Sequence, residues 1–215
     1  MALAKDYDSV MGRSAEIMKA SLGLDFNDFE SGSVAFDYEG LMEATGYTLE
    51  EIDRIQSRTG VGHTALLELR NITKLARKYA KPGYGARILV KDEAANASGS
   101  FKDRRAACAV AHAKKLGYKG VIAATSGNYG AAVASQAAMQ GMKCIIVQEC
   151  YDSKGVGQPE IVEKARKCEA LGAEVIQLTV GPELFYEHLS VMEDSGYLRI
   201  PVLSIRYCRC RNPGL

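Results

Sequence analysis

From Ala86 onward the chain alternates short β-rich runs with amphipathic stretches that end at a glycine, a rhythm that restricts it to α/β architecture with parallel strands. Four units follow one another. Residues 86–93 (ARILVKDE) read as a strand and 101–116 as a helix stopped by Gly117; 120–125 (GVIAAT) read as a buried strand and 131–140 as a helix stopped by Gly141. A third strand covers 142–149, followed by a helix over 159–171 with Pro159 in its first turn and Gly172 at its end. A fourth strand, 173–179, leads into a helix opening at Pro182. Ala131, Ala134, Ser135 and Ala138 give the second helix a face of small residues, which implies close backbone approach to a neighbour.

The first 60 residues are less regular. A helix is expected over 11–20 and another after Thr48, where Thr48 and Glu51 have capping-box spacing. Among 215 residues, 47% are hydrophobic and the net charge is +1, as in a globular protein without a basic field for nucleic acid. No apolar run approaches the roughly 18 to 20 residues that span a bilayer, and the N-terminus lacks the basic start and apolar middle of a signal peptide, so a cytoplasmic protein without membrane partners is expected. The six cysteines form no CxxC pair and have no partnering histidines, which points to reduced thiols and no metal site.

Two segments carry chemistry. In NASGSFKDRR, Ser100 and Asp103 have capping-box spacing, which puts Lys102 in the first turn of a helix. An amine near the positive end of a helix dipole, with Arg104 and Arg105 adjacent, is discouraged from carrying a proton, and a neutral amine is what Schiff-base chemistry uses. Alone, the segment also reads as a solvated lysine on a charged turn. The second segment, TSGNYG at 125–130, joins a strand to a helix, and its two glycines expose N–H groups suited to a carboxylate or phosphate. Alone, Gly127 and Gly130 also read as ordinary turn residues.

Taken together and in this order, the two strings resemble the NPxGSFKxR and SGNxG signatures of the fold type II pyridoxal 5'-phosphate (PLP) enzymes, which include threonine synthase, cysteine synthase and the tryptophan synthase β subunit. The resemblance implies an α/β, tryptophan synthase β-like fold of parallel sheets flanked by helices, with PLP as cofactor. It makes Lys102 the Schiff-base lysine and the catalytic base. Asn128 would bind the cofactor's 3'-oxygen, and Thr125, Ser126, Gly127 and Asn128 would hold the substrate carboxylate. Ala97 stands where the family's proline is usual, a departure that touches loop stiffness. GVGHTALLEL, 60–69, is similar to the family's GxTPL segment, with Ala65 in place of proline.

Within that group, TGYTLEEI, KDEAAN, QECYDSKGVGQPEI and VGPELFY are similar to the β-subunit family of the 2-amino-4-oxopentanoate thiolases. This implies cleavage of that amino acid by coenzyme A to acetyl-CoA and alanine in ornithine degradation, a small α subunit as partner, and an oligomer. No motif marks a coenzyme A site; 153–160 reads as a plain loop. Another fold type II lyase or synthase, such as a threonine synthase relative, is the alternative enzyme, and an inactive gene fragment is the non-enzymatic one.

The expected organisation has four parts: a helical cover at 1–59, the start of the large PLP domain with the lysine motif at 60–118, a smaller α/β domain with the asparagine loop at 119–197, and an atypical tail at 198–215. Fold type II enzymes hold the PLP phosphate in a glycine-rich loop further downstream. The chain is therefore expected to represent an N-terminal half, incomplete at its C-terminus, and the arginine-rich tail with its CRC triplet reads as a frameshifted end.

Overall fold

The computed structural model describes residues 6–31, 35–125, 127–151, 154–179, 183–195 and 198–199. The N-terminal third holds α1 (Tyr7–Gly12), α2 (Ser14–Leu22), a small antiparallel pair of β1 (Glu30–Ser31) and β2 (Ala35–Phe36), α3 (Tyr38–Thr45) and α4 (Leu49–Ser57). Next come β3 (Leu66–Glu68), α5 (Arg70–Lys78), β4 (Leu89–Lys91) and α6 (Lys102–Lys115). The remainder alternates: β5 (Gly120–Thr125), α7 (Asn128–Gln140), β6 (Lys143–Glu149), α8 (Pro159–Ala170), β7 (Glu174–Leu178), α9 (Glu183–Ser195) and β8 (Leu198–Arg199).

The heart of the molecule is a four-stranded parallel sheet in the order β7-β6-β5-β8. The middle of each central strand, Val121–Ala124 of β5 and Cys144–Val147 of β6, is apolar because both faces are covered. Val121, Ala123, Cys144 and Ile146 point into a cluster with Ala106, Val110, Val133 and Ala137 of α6 and α7. Ile122 and Val147 point the other way, into a cluster with Val10, Ile17, Leu184 and Leu189 of α1, α2 and α9. The N-terminal helices thus form part of the sheet's second layer.

The glycine rhythm survives with adjustments. Gly141, at φ +69°, closes α7 as a left-handed cap, and the Thr48–Glu51 capping box opens α4 with both reciprocal bonds in place. Of the small residues of α7, Ala131, Ala134 and Ser135 are buried while Ala138 is exposed. The helix begins at Asn128, three residues earlier than its alanine run suggests.

Three expectations are corrected. Residues 86–93 do not open a parallel unit: only Leu89–Lys91 is a strand, and it pairs antiparallel with β3 in a separate two-stranded sheet. The place beside β5 is taken instead by Leu198–Arg199, where the sequence rhythm fades, because a strand apolar on both faces also needs a partner along each edge. The single helix expected over 11–20 is two helices broken at Arg13, whose guanidinium bonds the Ser9 carbonyl and pairs with Glu193 of α9 at 3.1 Å. The remainder of the tail, including Cys208 and Cys210, and the expected helix start at Pro182 lie outside the described residues.

Candidate active site

Lys102 is the first residue of α6 and is half-buried, its Nζ 4.5 Å from the centre of the Phe101 ring. The loop ahead of it turns at Gly99, whose φ of +81° suits glycine, and the Gly99 N–H donates to the Asn96 carbonyl at 2.8 Å. The expected capping box is replaced by a different clamp. Phe101 already has helical backbone angles and caps the helix without a side-chain bond, so Ser100 sits too early to do so. Ser100 Oγ accepts the Lys102 N–H at 3.2 Å, while the Asp103 carboxylate reaches past Ser100 and accepts the Ser98 N–H at 2.6 Å.

Asp103 is fully buried, and that burial pushes its carboxyl above the usual carboxylate range, against the opposing Ser98 amide bond. From α8, Lys167 Nζ donates to the Ser98 carbonyl at 2.8 Å. Ser98 is therefore fixed at both its N–H and its C=O, four residues before Lys102.

Arg104 does not serve as an uncompensated charge beside Lys102. Its Nε and Nη2 donate to the two Glu93 carboxylate oxygens at 2.7 and 2.8 Å, a fork that neutralises it. That fork, with further bonds from Thr64 and Asn96, holds Glu93 down to about 2 despite partial burial. Asn96 also accepts the Gly62 N–H at 2.9 Å, and Lys91 donates to the Thr64 carbonyl, so the GxTPL-like segment is tied directly to the lysine loop. The Arg105 guanidinium carbon sits over the Tyr129 ring of α7, 3.5 Å from its centre.

The asparagine loop follows β5. The Thr125 hydroxyl accepts the N–H groups of Gly127 and Gly130, at 3.0 and 3.3 Å, and donates to the Gly127 carbonyl at 3.1 Å. Thr125 thus shapes the turn from within. Gly130 permits it, since a methyl group there would stand 2.6 Å from Thr125 Cγ2 and 3.1 Å from Ile146 Cγ2. Asn128 is exposed at the start of α7, and Gly127 is half-buried just before it; Ser126 lies outside the described residues.

Lys102 and Asn128 each open a helix, and those two helices pack against each other. An amine, an amide and the N–H end of α7 suit the aldehyde, the ring oxygen and an amino-acid carboxylate in turn. Asp103, Glu93 and the α8 lysines escape a motif reading. Asp103 shows only as a helix-start acid, and Lys167 lies 69 residues from the carbonyl it holds.

A parallel sheet flanked by helices, with a lysine opening one helix and Gly127–Asn128 opening the next, fits the fold type II class, and the chain belongs to the family of pyridoxal-phosphate dependent enzymes, which residues 58–202 match. The cofactor of that family is PLP. Among named relatives, the chain is 74% identical over 197 residues to the 2-amino-4-ketopentanoate thiolase beta subunit of Acetoanaerobium sticklandii, covering 91% of this chain and 42% of that protein. It is 66% identical over 204 residues to a protein of the same name from an unknown prokaryotic organism, covering 94% and 43%. Ketopentanoate and oxopentanoate name one compound. The chain spans under half the length of these two relatives. In structure it is similar to the cysteine synthase of Entamoeba histolytica, with a TM-score of 0.53 and 30% identity over 66% of this chain and 40% of that one.

Proposed function

We propose that the chain is the PLP-carrying part of a thiolase β subunit that cleaves 2-amino-4-oxopentanoate with coenzyme A to acetyl-CoA and alanine. The observation that carries this reading is the 74% identity to a protein of that name across 91% of the chain. Its working partner would be a small α subunit, as the relatives' designation as beta subunits suggests. Among the described residues, Cys108, Cys144, Cys150 and Cys168 are buried thiols, which agrees with action in the reducing cytoplasm.

When bound, PLP supplies an electron sink for charge released at the amino acid's Cα. Lys102 would carry the cofactor through its Nζ and, once displaced by the substrate amine, take the proton from Cα, because its position at the helix start keeps it within reach. Asn128 would donate to the cofactor's 3'-oxygen. Thr125, through the turn it holds, and Ser126, Gly127 and Asn128, through the N–H end of α7, would fix the substrate carboxylate and so orient the Cα–H bond toward Lys102. Rigid support for the lysine comes from the Asp103 and Lys167 clamp on Ser98.

The test is to mix the chain with PLP, fix any adduct with borohydride and map it by mass spectrometry. Lys102 is expected to dominate the labelled sites, and Lys102→Ala to lose that label. Acetyl-CoA release in the presence of the α subunit, coenzyme A and the amino acid checks the reaction itself. Labelling spread evenly over the surface lysines would sink the cofactor assignment.

A further inference from the structure

α8 carries two lysines one turn apart, and they meet two different loops of the candidate site. Lys167 is engaged with the Ser98 carbonyl. Lys164 stands at the asparagine loop, where a methyl group on Gly127 would lie 3.8 Å from its Nζ. It is half-buried and makes no hydrogen bond or ion pair among the described residues.

A partly desolvated ammonium without a counter-ion is unfavourable, and an anion beside it relieves that cost. The first turn of α7, at the same place, adds its own positive partial charge. The backbone that presents Lys164 is firmly seated, because its neighbours on the same side of α8, Ile161, Ala165 and Cys168, are buried.

We infer that Lys164 is a specificity-determining residue that pairs with the carboxylate of an amino acid held beside Gly127 and Asn128 at the start of α7. It would select α-amino acids with a free carboxylate over their amides and esters, since a neutral group leaves the ammonium unpaired. This rests on the carboxylate role proposed above for that loop.

The experiment uses the full 215-residue chain, isotope-labelled and with PLP added, and follows the amide resonances of Gly127 and Asn128 during titration with L-alanine and with L-alaninamide. L-Alanine is expected to shift both signals saturably. Lys164→Met should weaken that binding about tenfold, the lower range for a charge-assisted hydrogen bond, and leave the weak response to L-alaninamide unchanged. Lys164→Arg should restore most of the loss.

Absence of an L-alanine response in the unaltered chain, equal affinity in Lys164→Met, or equal loss for alanine and alaninamide would each overturn the inference. Borohydride mapping on the same samples separates it from the broader reading. Lys102 labelled while Lys164 is indifferent removes only the role of Lys164, whereas no label on Lys102 removes the cofactor reading.

Discussion

At the scale of single residues, the site depends on what surrounds Lys102 and Asn128 more than on those two side chains. Thr125 illustrates this: a hydroxyl expected to touch substrate is bonded to Gly127 and Gly130 and fixes the loop's shape. The glycine it bonds is sterically required. Gly130→Ala would bring its methyl within 2.6 Å of Thr125 Cγ2, and we expect a loss of roughly 1–3 kcal/mol, the usual cost of overpacking, measured by urea unfolding. Unchanged stability would show that β5 and α7 yield more readily than their packing implies. Lys102 and Asn128 were singled out in the sequence by the resemblance of their motifs, whereas Gly130 is demanded by its local packing. That Arg104 is neutralised by Glu93 was not legible, since the partner lies in a different segment.

At the scale of elements, the lysine loop is a junction. Glu93, Asn96, Thr64 and Arg104 join the GxTPL-like segment to α6, and Lys167 joins α8 to the same loop. The network carries a pH signature. The Arg104 bond lowers Glu93 from 4.5 to about 2, so its stabilisation is complete above about 4.5 and is lost as pH falls toward 2. Melting temperature should therefore drop more steeply in that window for the unaltered chain than for Glu93→Gln, which lacks the titrating group. Parallel acid profiles would show that the ion pair contributes no stability. The start of α4, the stop of α7 and both ends of α8 were readable from caps, proline and glycine. α3 and α5 were missed, although Asp37 and Gly46 bracket α3 as N-cap and left-handed C-cap.

At the scale of the whole molecule, the parallel sheet is one cooperative core with helices on both faces, and its thiols report on it. Burial pushes Cys144 up to about 12 and Cys168 to about 11, so neither forms appreciable thiolate at pH 8. Iodoacetamide at that pH should leave both unmodified in the native chain, with labelling appearing only as urea unfolds it. Rapid native labelling would contradict a closed core around β6 and α8.

The sequence by itself determined the α/β class, the order of the lysine and asparagine motifs, and the glycines that stop α6, α7 and α8, because these follow from hydrophobic period and from backbone preferences over a few neighbours. Only the tertiary structure decided that β4 pairs with β3, that β8 stands beside β5, and that Lys167 and Lys164 of α8 approach the two loops. Strand partners and long-range side-chain contacts depend on residues many positions apart, whose meeting is set by how the layers pack and not by the pattern of either segment.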